Sequence, residues 1–394
     1  MFKISTLNNI SVTGLDRLPR DQYEIASALP NPDAVLLRSY KMHDWTIPDT
    51  LAAVGRAGAG VNNIPLDKMS EKGIPVFNAP GANANAVQEL VLTGMLLSAR
   101  NICAGWEFSR NLQGDDAEIT KQVEAGKSGF SGFELPGRTL GVVGLGAIGI
   151  KIANTAIALG MKVIGFDPKI TVDNAWKLAH QVEQTSSVDD LLSHSDFVTF
   201  HVPLVEGTKD MINAARLDNM RDNVTVLNFS RGGIVNDEAM VAALESGKAH
   251  AYVCDFPSNL LKNHPKVITL PHLGASTAEA EDNCAIMVVD QVKNYLENGN
   301  ITNSVNFPKI LMKRQVGQYR LTVAHDNIPT ILSQITNAFA DAKININDML
   351  NKSRDDVAYT ILDTDEVLPE SIVSTVEAIE GVLKVRLLGC FNMG

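Results

Sequence analysis

The sequence predicts an α/β protein: two doubly wound parallel sheets, then a small C-terminal module of order βαββαβ. Three observations predict it. Short apolar runs ending at Gly, Pro or Asn recur as far as Leu270, with helical or loop stretches between them, the pattern of βαβ units. A glycine-rich turn, Gly144-Leu-Gly146-Ala-Ile-Gly149, joins one such run to a helix. From Gln318 the pattern changes to alternating strands with two helices among them. At 394 residues the chain is long enough for two or three domains. Its 45% apolar and 20% charged content excludes a disordered chain, a fibrous repeat and a Cys-stapled miniprotein.

The elements follow in order. Ala34 to Arg38, Leu51 to Gly55 and Ile74 to Phe77 read as strands of a first sheet, with Leu66 to Lys72 helical or loop. Ala86 to Cys103 is a long, strongly apolar helix candidate, and Gly126 to Arg138 interrupts as a loop. The second series runs Thr139 to Val143, Lys162 to Phe166, Phe197 to His201, Val224 to Phe229, Ala251 to Cys254 and Val267 to Leu270. Ala278 to Asn298 reads as one amphipathic helix stopped by Asn-Gly-Asn at 298–300. Residues 301–317 carry little periodicity, and a linker is placed at 306–317. Tyr319 to His325, Ile344 to Lys352, Val357 to Asp363 and Leu383 to Leu388 are the strands of the last module. Its helices are Thr330 to Asp341 and Ser371 to Glu380, an order that is ferredoxin-like.

The N-terminus begins as an alternating strand with no basic-then-apolar leader, and no run reaches the roughly 18 apolar residues needed to span a bilayer. Cys103, Cys254, Cys284 and Cys390 are scattered without metal-ligand spacing. The expectation is a cytoplasmic protein with reduced thiols, no metal and no membrane partner. A net charge of −11 argues against nucleic acid. If the ligand is an anion, its cations must be placed locally against that field.

The glycine turn has the context such a motif needs, since it follows the strand LGVVG and opens a helix at Ile150. Gly144 and Gly146 let a pyrophosphate approach free N–H groups at the helix N-terminus, and Gly149 lets helix and strand pack closely. Asp167 ends the next strand, where an acid accepts from ribose hydroxyls and repels the 2′-phosphate of NADP. The cofactor expected is NAD. Hydride transfer at a 2-hydroxy acid needs two further parts: a cation for the carboxylate and a group that moves the hydroxyl proton. Arg231, in Ser230-Arg231-Gly232-Gly233, and His272, in Pro271-His272-Leu273-Gly274-Ala275, follow strands and supply them.

GLGAIG, Asp167, SRGG and PHLGAST together resemble the D-isomer-specific 2-hydroxyacid dehydrogenases. Leu37-Arg38-Ser39, the stretch Gly55 to Asn63 and Val76 to Pro80 are similar to the branch of that family that oxidises 3-phosphoglycerate. The resemblance implies a flavodoxin-like substrate domain split over 1–98 and 286–305, an inserted Rossmann NAD domain at 99–285, and an ACT domain at 318–394. It implies Arg231 as substrate ligand and His272 as acid/base. Ala147, Ile148, Asp167, Ser230, Asp255, Gly274 and Ala275 would lie along NAD. Arg38, Ser39, Arg56, Ala57, Gly58 and Asn78 would face a substrate bearing phosphate and carboxylate. It also implies a homo-oligomer, dimer or tetramer, with the 86–103 helix as the candidate interface. His325, Asn327 and Asn345 would hold an L-serine effector across a domain pair, although Thr330 stands where the serine-inhibited relatives carry glycine, and a purely structural or dimerising role is the alternative.

One departure stands out. The family places a glutamate a few residues after the aspartate matching Asp255, where it pairs with the histidine. Here Asn259 or Leu260 occupies that place. An amide orients an imidazole but does not hold its proton as a carboxylate does, so Asp255 is the candidate substitute. Two other readings stay open: another D-2-hydroxyacid substrate (glycerate, lactate or 2-hydroxyglutarate), and an NAD-sensing protein without turnover.

Overall fold

The structure, a computed structural model, describes residues 1–390; the last four residues of the module placed at 318–394 lie outside it. The chain forms two compact units, Met1–Ala82 with Glu281–Gly394, and Asn83–Ala280. The boundaries read from the sequence, 98/99 and 285/286, fall inside the helices Ala84–Ala99 and Ala278–Asn298.

In the first unit, β1 (Phe2–Thr6), β2 (Tyr23–Ser27), β3 (Ala34–Leu37), β4 (Ala53–Arg56) and β5 (Val76–Phe77) form one parallel sheet of order β2-β1-β3-β4-β5. That is the flavodoxin-like order, with its direction of winding reversing between β1 and β3. All four residues of β3 are buried, because a central parallel strand is covered on both faces. The helix Ala278–Asn298 closes one face. A Cβ at Gly55 would stand 2.8 Å from both Leu36 Cδ2 and Val288 Cγ2, so the approach of helix to sheet requires glycine there.

The second unit holds β6 (Thr139–Val143), β7 (Lys162–Phe166), β8 (Glu183–Gln184), β9 (Phe197–Phe200), β10 (Val224–Asn228), β11 (Ala249–Cys254) and β12 (Val267–Thr269). They form a parallel sheet of order β12-β11-β10-β9-β6-β7-β8, the Rossmann arrangement, reversing between β6 and β9. The helix Ala84–Ala99 is spent inside this unit: Val87, Val91, Met95 and Ala99 share a core with Ile152, Ala153 and Ala156 of the helix Ala147–Ala158. Its buried face therefore cannot serve as the interface that the resemblance implied. The helices Ile102–Arg110 and Asp116–Gly126 bury none of their residues, and Trp106 is 61% exposed.

The C-terminal module contains β13 (Tyr319–Asp326), β14 (Asp348–Arg354), β15 (Val357–Thr364) and β16 (Val382–Leu388), antiparallel in the order β14-β15-β13-β16. This is the ferredoxin-like order, consistent with an ACT domain. Strand β14 starts at Asp348 rather than Ile344. Lys343 (φ +59°) ends the preceding helix, and residues 344–347 are used in leaving it. On one sheet face Leu321, Val323 and Leu362 pack under the helices Ile331–Asp341 and Glu370–Glu377. On the other, Ala324, Tyr359 and Ile361 join the core that contains Tyr295, Leu296, Ile301 and Phe307. The segment read as a linker is thus packed: Phe307 and Ile310 are buried, and Ile301 and Ile310 exchange two hydrogen bonds of 2.9 Å.

The last four carbonyls of the helix Ala278–Asn298 all receive arginine donors. Arg386 donates to the Tyr295 and Leu296 oxygens, Arg314 to Glu297 and Arg320 to Asn298. A helix end leaves these groups unpaired, and cations favour its partial negative charge. Arg320 is also gripped by Asp363 through two 2.6 Å bonds, with side chains 0% and 1% exposed. Among the described residues no helix is long and apolar enough to cross a membrane, and no cluster of metal ligands occurs. Arg320→Met would leave the Asp363 carboxylate buried and uncompensated at a cost of about 3–5 kcal/mol. Denaturant unfolding checks this, and adding Asp363→Leu is expected to restore most of the loss.

Candidate active site

Strand β6 runs straight into the glycine turn. Gly144 has φ +93°, and a Cβ there would lie 2.6 Å from the His201 carbonyl oxygen. A Cβ on Gly149 would lie 2.0 Å from the Gly144 oxygen, while one on Gly146 would meet nothing within 4 Å. Gly146 caps the helix that opens with Ala147 and Ile148, and no side chain takes up the first-turn amides. Open space in front of unclaimed amides fits the pyrophosphate of a dinucleotide. Asp167, just past β7, is half-buried. Its Oδ2 accepts from Leu145 N at 2.9 Å and its Oδ1 from Lys169 N at 2.8 Å, so it shapes the same turn.

The strands on the other side of the reversal bring in the polar groups. After β10, Asn228 is buried, donating to the Arg231 carbonyl at 2.9 Å and accepting from Ser230 N at 3.2 Å. Ser230 Oγ donates to Val202 O at 2.5 Å, and Arg231 Nη1 folds onto Ser230 O at 2.6 Å. Asn228 was not singled out in the sequence, being one more polar residue at a strand end.

After β11, Asp255 is 1% exposed, and its two oxygens accept from Leu273 N at 2.8 Å and Gly274 N at 2.9 Å. The carboxylate therefore ties down the loop that carries His272. Among the described residues no hydrogen bond or ion pair joins Asp255, or any other acid, to the imidazole. His272 itself is exposed, at φ +56°. Its ring meets the edge of Phe256, with centroids 5.1 Å apart at 61°. Phe256 also lies 3.6 Å from where a Cβ of Gly232 would stand. One aromatic ring thus supports both the arginine loop and the histidine loop. Gly274 is buried and Ala275 half-buried beside them.

In the first unit the cations also follow strands. Arg38 comes directly after β3 and ends beside Glu281, Nη1 to Oε1 at 2.5 Å. It lines a cavity of about 360 Å³ with Ser39, Asn8 and Asn9. Asn8 Oδ1 accepts from the amides of Arg38 and Tyr40 at 3.2 and 2.7 Å, which shapes this loop. Arg56, the last residue of β4, donates from Nε to the Arg38 carbonyl at 3.1 Å. A Cβ at Gly58 (φ +150°) would collide with Arg56 Nη1 at 2.0 Å. Ala57 donates to Leu37 O at 2.8 Å. Asn78 is turned inward, donating to Ala59 O at 2.6 Å and accepting from Asn303 at 2.8 Å, so it supports the loop. Burial pushes the Cys284 thiol up, while nearby Arg38 and Arg56 draw it down.

The three effector candidates are not brought together within one module. His325 is 1% exposed, its ring nitrogens at Asp326 O (2.7 Å) and Thr360 Oγ1 (2.9 Å), and burial lowers its pKa. Asn327 donates to Asp355 O at 3.0 Å beside it. Asn345 bonds Asn347, whose amide meets Asp363 O at the far end of β15 from the His325–Ala358 pair. Thr330 has φ +71°, a strained conformation for a β-branched residue.

A family profile for the NAD binding domain of the D-isomer specific 2-hydroxyacid dehydrogenases matches residues 102–274. The D-3-phosphoglycerate dehydrogenase of Haemophilus influenzae is 32% identical over 349 residues, spanning 86% of this chain and 81% of that one. The chain belongs to the D-isomer specific 2-hydroxyacid dehydrogenase family. The D-3-phosphoglycerate dehydrogenase of Escherichia coli K12 is 31% identical over 86% of this chain and 82% of its own. Among solved structures, holo D-mandelate dehydrogenase of Rhodotorula graminis shares the fold, with a TM-score of 0.67, 23% identity, and coverage of 79% of this chain and 99% of that one. This family member is an NAD-dependent 2-hydroxyacid oxidoreductase.

Two outcomes follow for this dehydrogenase. Asp255→Asn turns an accepting oxygen into a donor facing an N–H, at a cost of about 1–3 kcal/mol. Turnover should fall with the shape of the pH–rate profile kept; a displaced acid limb would show that the carboxylate serves the imidazole directly. Burial also pushes His201 from 6.5 down to about 3. The unfolded chain takes up this proton sooner than the folded one, so the stability contribution is whole above 6.5 and is lost as pH falls toward 3. Unfolding free energy measured across that window should decline less steeply in His201→Asn.

Proposed function

We propose that this dehydrogenase oxidises 3-phospho-D-glycerate to 3-phosphohydroxypyruvate, the first step of L-serine biosynthesis. The carrying observation is a second cationic site. Arg38 and Arg56 stand at the carboxyl ends of β3 and β4, in the crevice where this sheet order binds ligands, apart from Arg231. A substrate with one carboxylate would leave them unused; one carrying a distal phosphate would not. The similarity to phosphoglycerate dehydrogenases of two bacteria supports the same reading.

In this mechanism Arg231 binds the carboxylate bidentately and draws charge from the C2 oxygen. His272 takes the C2 hydroxyl proton as the carbonyl forms. NAD, when bound, accepts the hydride from C2. Gly144, Gly146, Ala147, Ile148 and Gly149 would cradle its pyrophosphate and Asp167 its ribose. Ser230, Asp255, Gly274 and Ala275 would shape the nicotinamide side, Asp255 through the backbone it fixes. Arg38, Ser39 and Arg56 would hold the phosphate, with Ala57, Gly58 and Asn78 forming the loop beside it.

A substrate panel followed by NADH absorbance tests this. We expect 3-phosphoglycerate to be preferred over glycerate, lactate and 2-hydroxyglutarate. Arg56→Ala should cost about 10- to 100-fold in kcat/KM for it alone, the worth of a charge-assisted hydrogen bond. A preference for 2-hydroxyglutarate would reassign the second site to a carboxylate, and NAD affinity without turnover would favour the sensing reading.

The ACT domain would bind L-serine across two copies, since one copy holds His325 and Asn327 away from Asn345. The bare helices Ile102–Arg110 and Asp116–Gly126 are where a homo-oligomer would form. Millimolar serine should raise the melting temperature and lower activity; no shift would remove the effector.

A further inference from the structure

The distal-anion site contains an acid that its proposed ligand does not need. Glu281 lies in the first turn of the helix Ala278–Asn298, and its carboxylate meets the Arg38 guanidinium at 2.5 Å. Its position is fixed from several directions. The next residue, Asp282, accepts from Ser11, and Asp290 pairs with Arg17 at 2.5 Å, which binds the helix to the segment after β1. Arg38 is held equally well, its amide on Asn8 and its carbonyl taking donors from Arg56 and Asn63. Both side chains remain partly open, at 35% and 47%.

From this geometry, and resting on the substrate reading above, we infer that Glu281 is an internal competitor for Arg38 that holds down the affinity of the distal site for anions. Before substrate arrives, Glu281 occupies Arg38. An incoming group must displace it, and a half-open ion pair is weak enough to be displaced. A neutral hydroxymethyl tail has nothing to offer Arg38 and leaves the pair intact. A monoanionic carboxylate replaces one carboxylate with another, so the exchange is close to even. A phosphate dianion brings more charge and more acceptor oxygens than the group it removes, and it gains. Glu281 also stays near the emptied position, where its charge adds to the cost that every anion bears.

Glu281→Gln keeps the shape and removes the charge. It separates this role from simple support of Arg38, because the two predict opposite signs. If Glu281 competes, KM should fall for both 3-phosphoglycerate and 2-hydroxyglutarate. The fall should be about two- to five-fold for each, the worth of a half-exposed ion pair that both must break, while glycerate is unmoved. If Glu281 merely positions Arg38, KM for both anions rises, and the inference is overturned; unchanged KM values overturn it too. The same substitution in an Arg38→Ala background should not lower KM for either anion, since the competition needs both partners. An effect of equal size there would also sink it. A wild-type enzyme that does not turn over 3-phosphoglycerate would defeat the substrate reading instead. The Glu281 effect would then be read as a gain for 2-hydroxyglutarate relative to glycerate. The melting temperature of each variant, matched to the wild type, shows that folding is not what is being measured.

Discussion

A parallel sheet whose winding reverses between two neighbouring strands leaves a crevice there. The connections from those strands go to opposite faces, and nothing covers the strand ends between them. This chain builds that arrangement twice, between β1 and β3 and between β6 and β9. Almost every polar group of interest enters directly after a strand of one of these sheets. Asn8 and Arg38 follow β1 and β3, and Arg56 closes β4. Gly144, His201, Arg231, Asp255 and His272 come after β6, β9, β10, β11 and β12. Within each sheet the parallel strands send such residues to one and the same edge, so loops separated in sequence share one chemistry there.

That same regularity explains what the sequence made legible. A buried parallel strand reads as a continuous apolar run, and the residue beyond it is already placed. The strands of both parallel sheets, the glycine turn and the order of the C-terminal module follow from this. Less legible were contacts that depend on which way a side chain turns. Asp255 is as plausible along a cofactor, or beside His272, as it is underneath two amides; only three dimensions show the last. Phe256, apolar and adjacent to it, gave no signal, although it supports His272. The run from Ala86 buries Val87, Val91 and Met95 within its own unit and leaves Leu96 exposed, a division that its strong apolarity does not show. Asn345 was grouped with His325 by resemblance, for an effector held across a domain pair, and its place at the opposite end of β15 within one copy could not be read from the sequence.

The acidic balance of the chain turns out to say little about where its cations act. Arg38, Arg56 and Arg231 gather at the strand ends, against a net charge of −11. Arg314, Arg320 and Arg386 do something else: they neutralise the end of a helix by donating to backbone oxygens. By residue type the two groups are identical. What separates them is place: at the strand ends Arg38 pairs with Glu281 while Arg56 and Arg231 each donate to a loop carbonyl, whereas the other three converge on the carbonyls of one helix terminus.

The arginine-capped helix has a consequence for how such a chain could be shortened. The stretch at 306–317 looks like a natural cut site, a point at which a regulatory module might be gained or shed in evolution. But the three guanidiniums lie beyond or within that stretch, while the carbonyls they satisfy end the helix that covers the first sheet. A cut there would bare the carbonyls of Leu296, Glu297 and Asn298, with that of Tyr295 still served by the Gly299 amide, and would uncover the faces of Tyr295 and Phe307 as well. The module is grafted into the catalytic body rather than appended to it, so losing it requires a new ending for that helix as well as a stop codon.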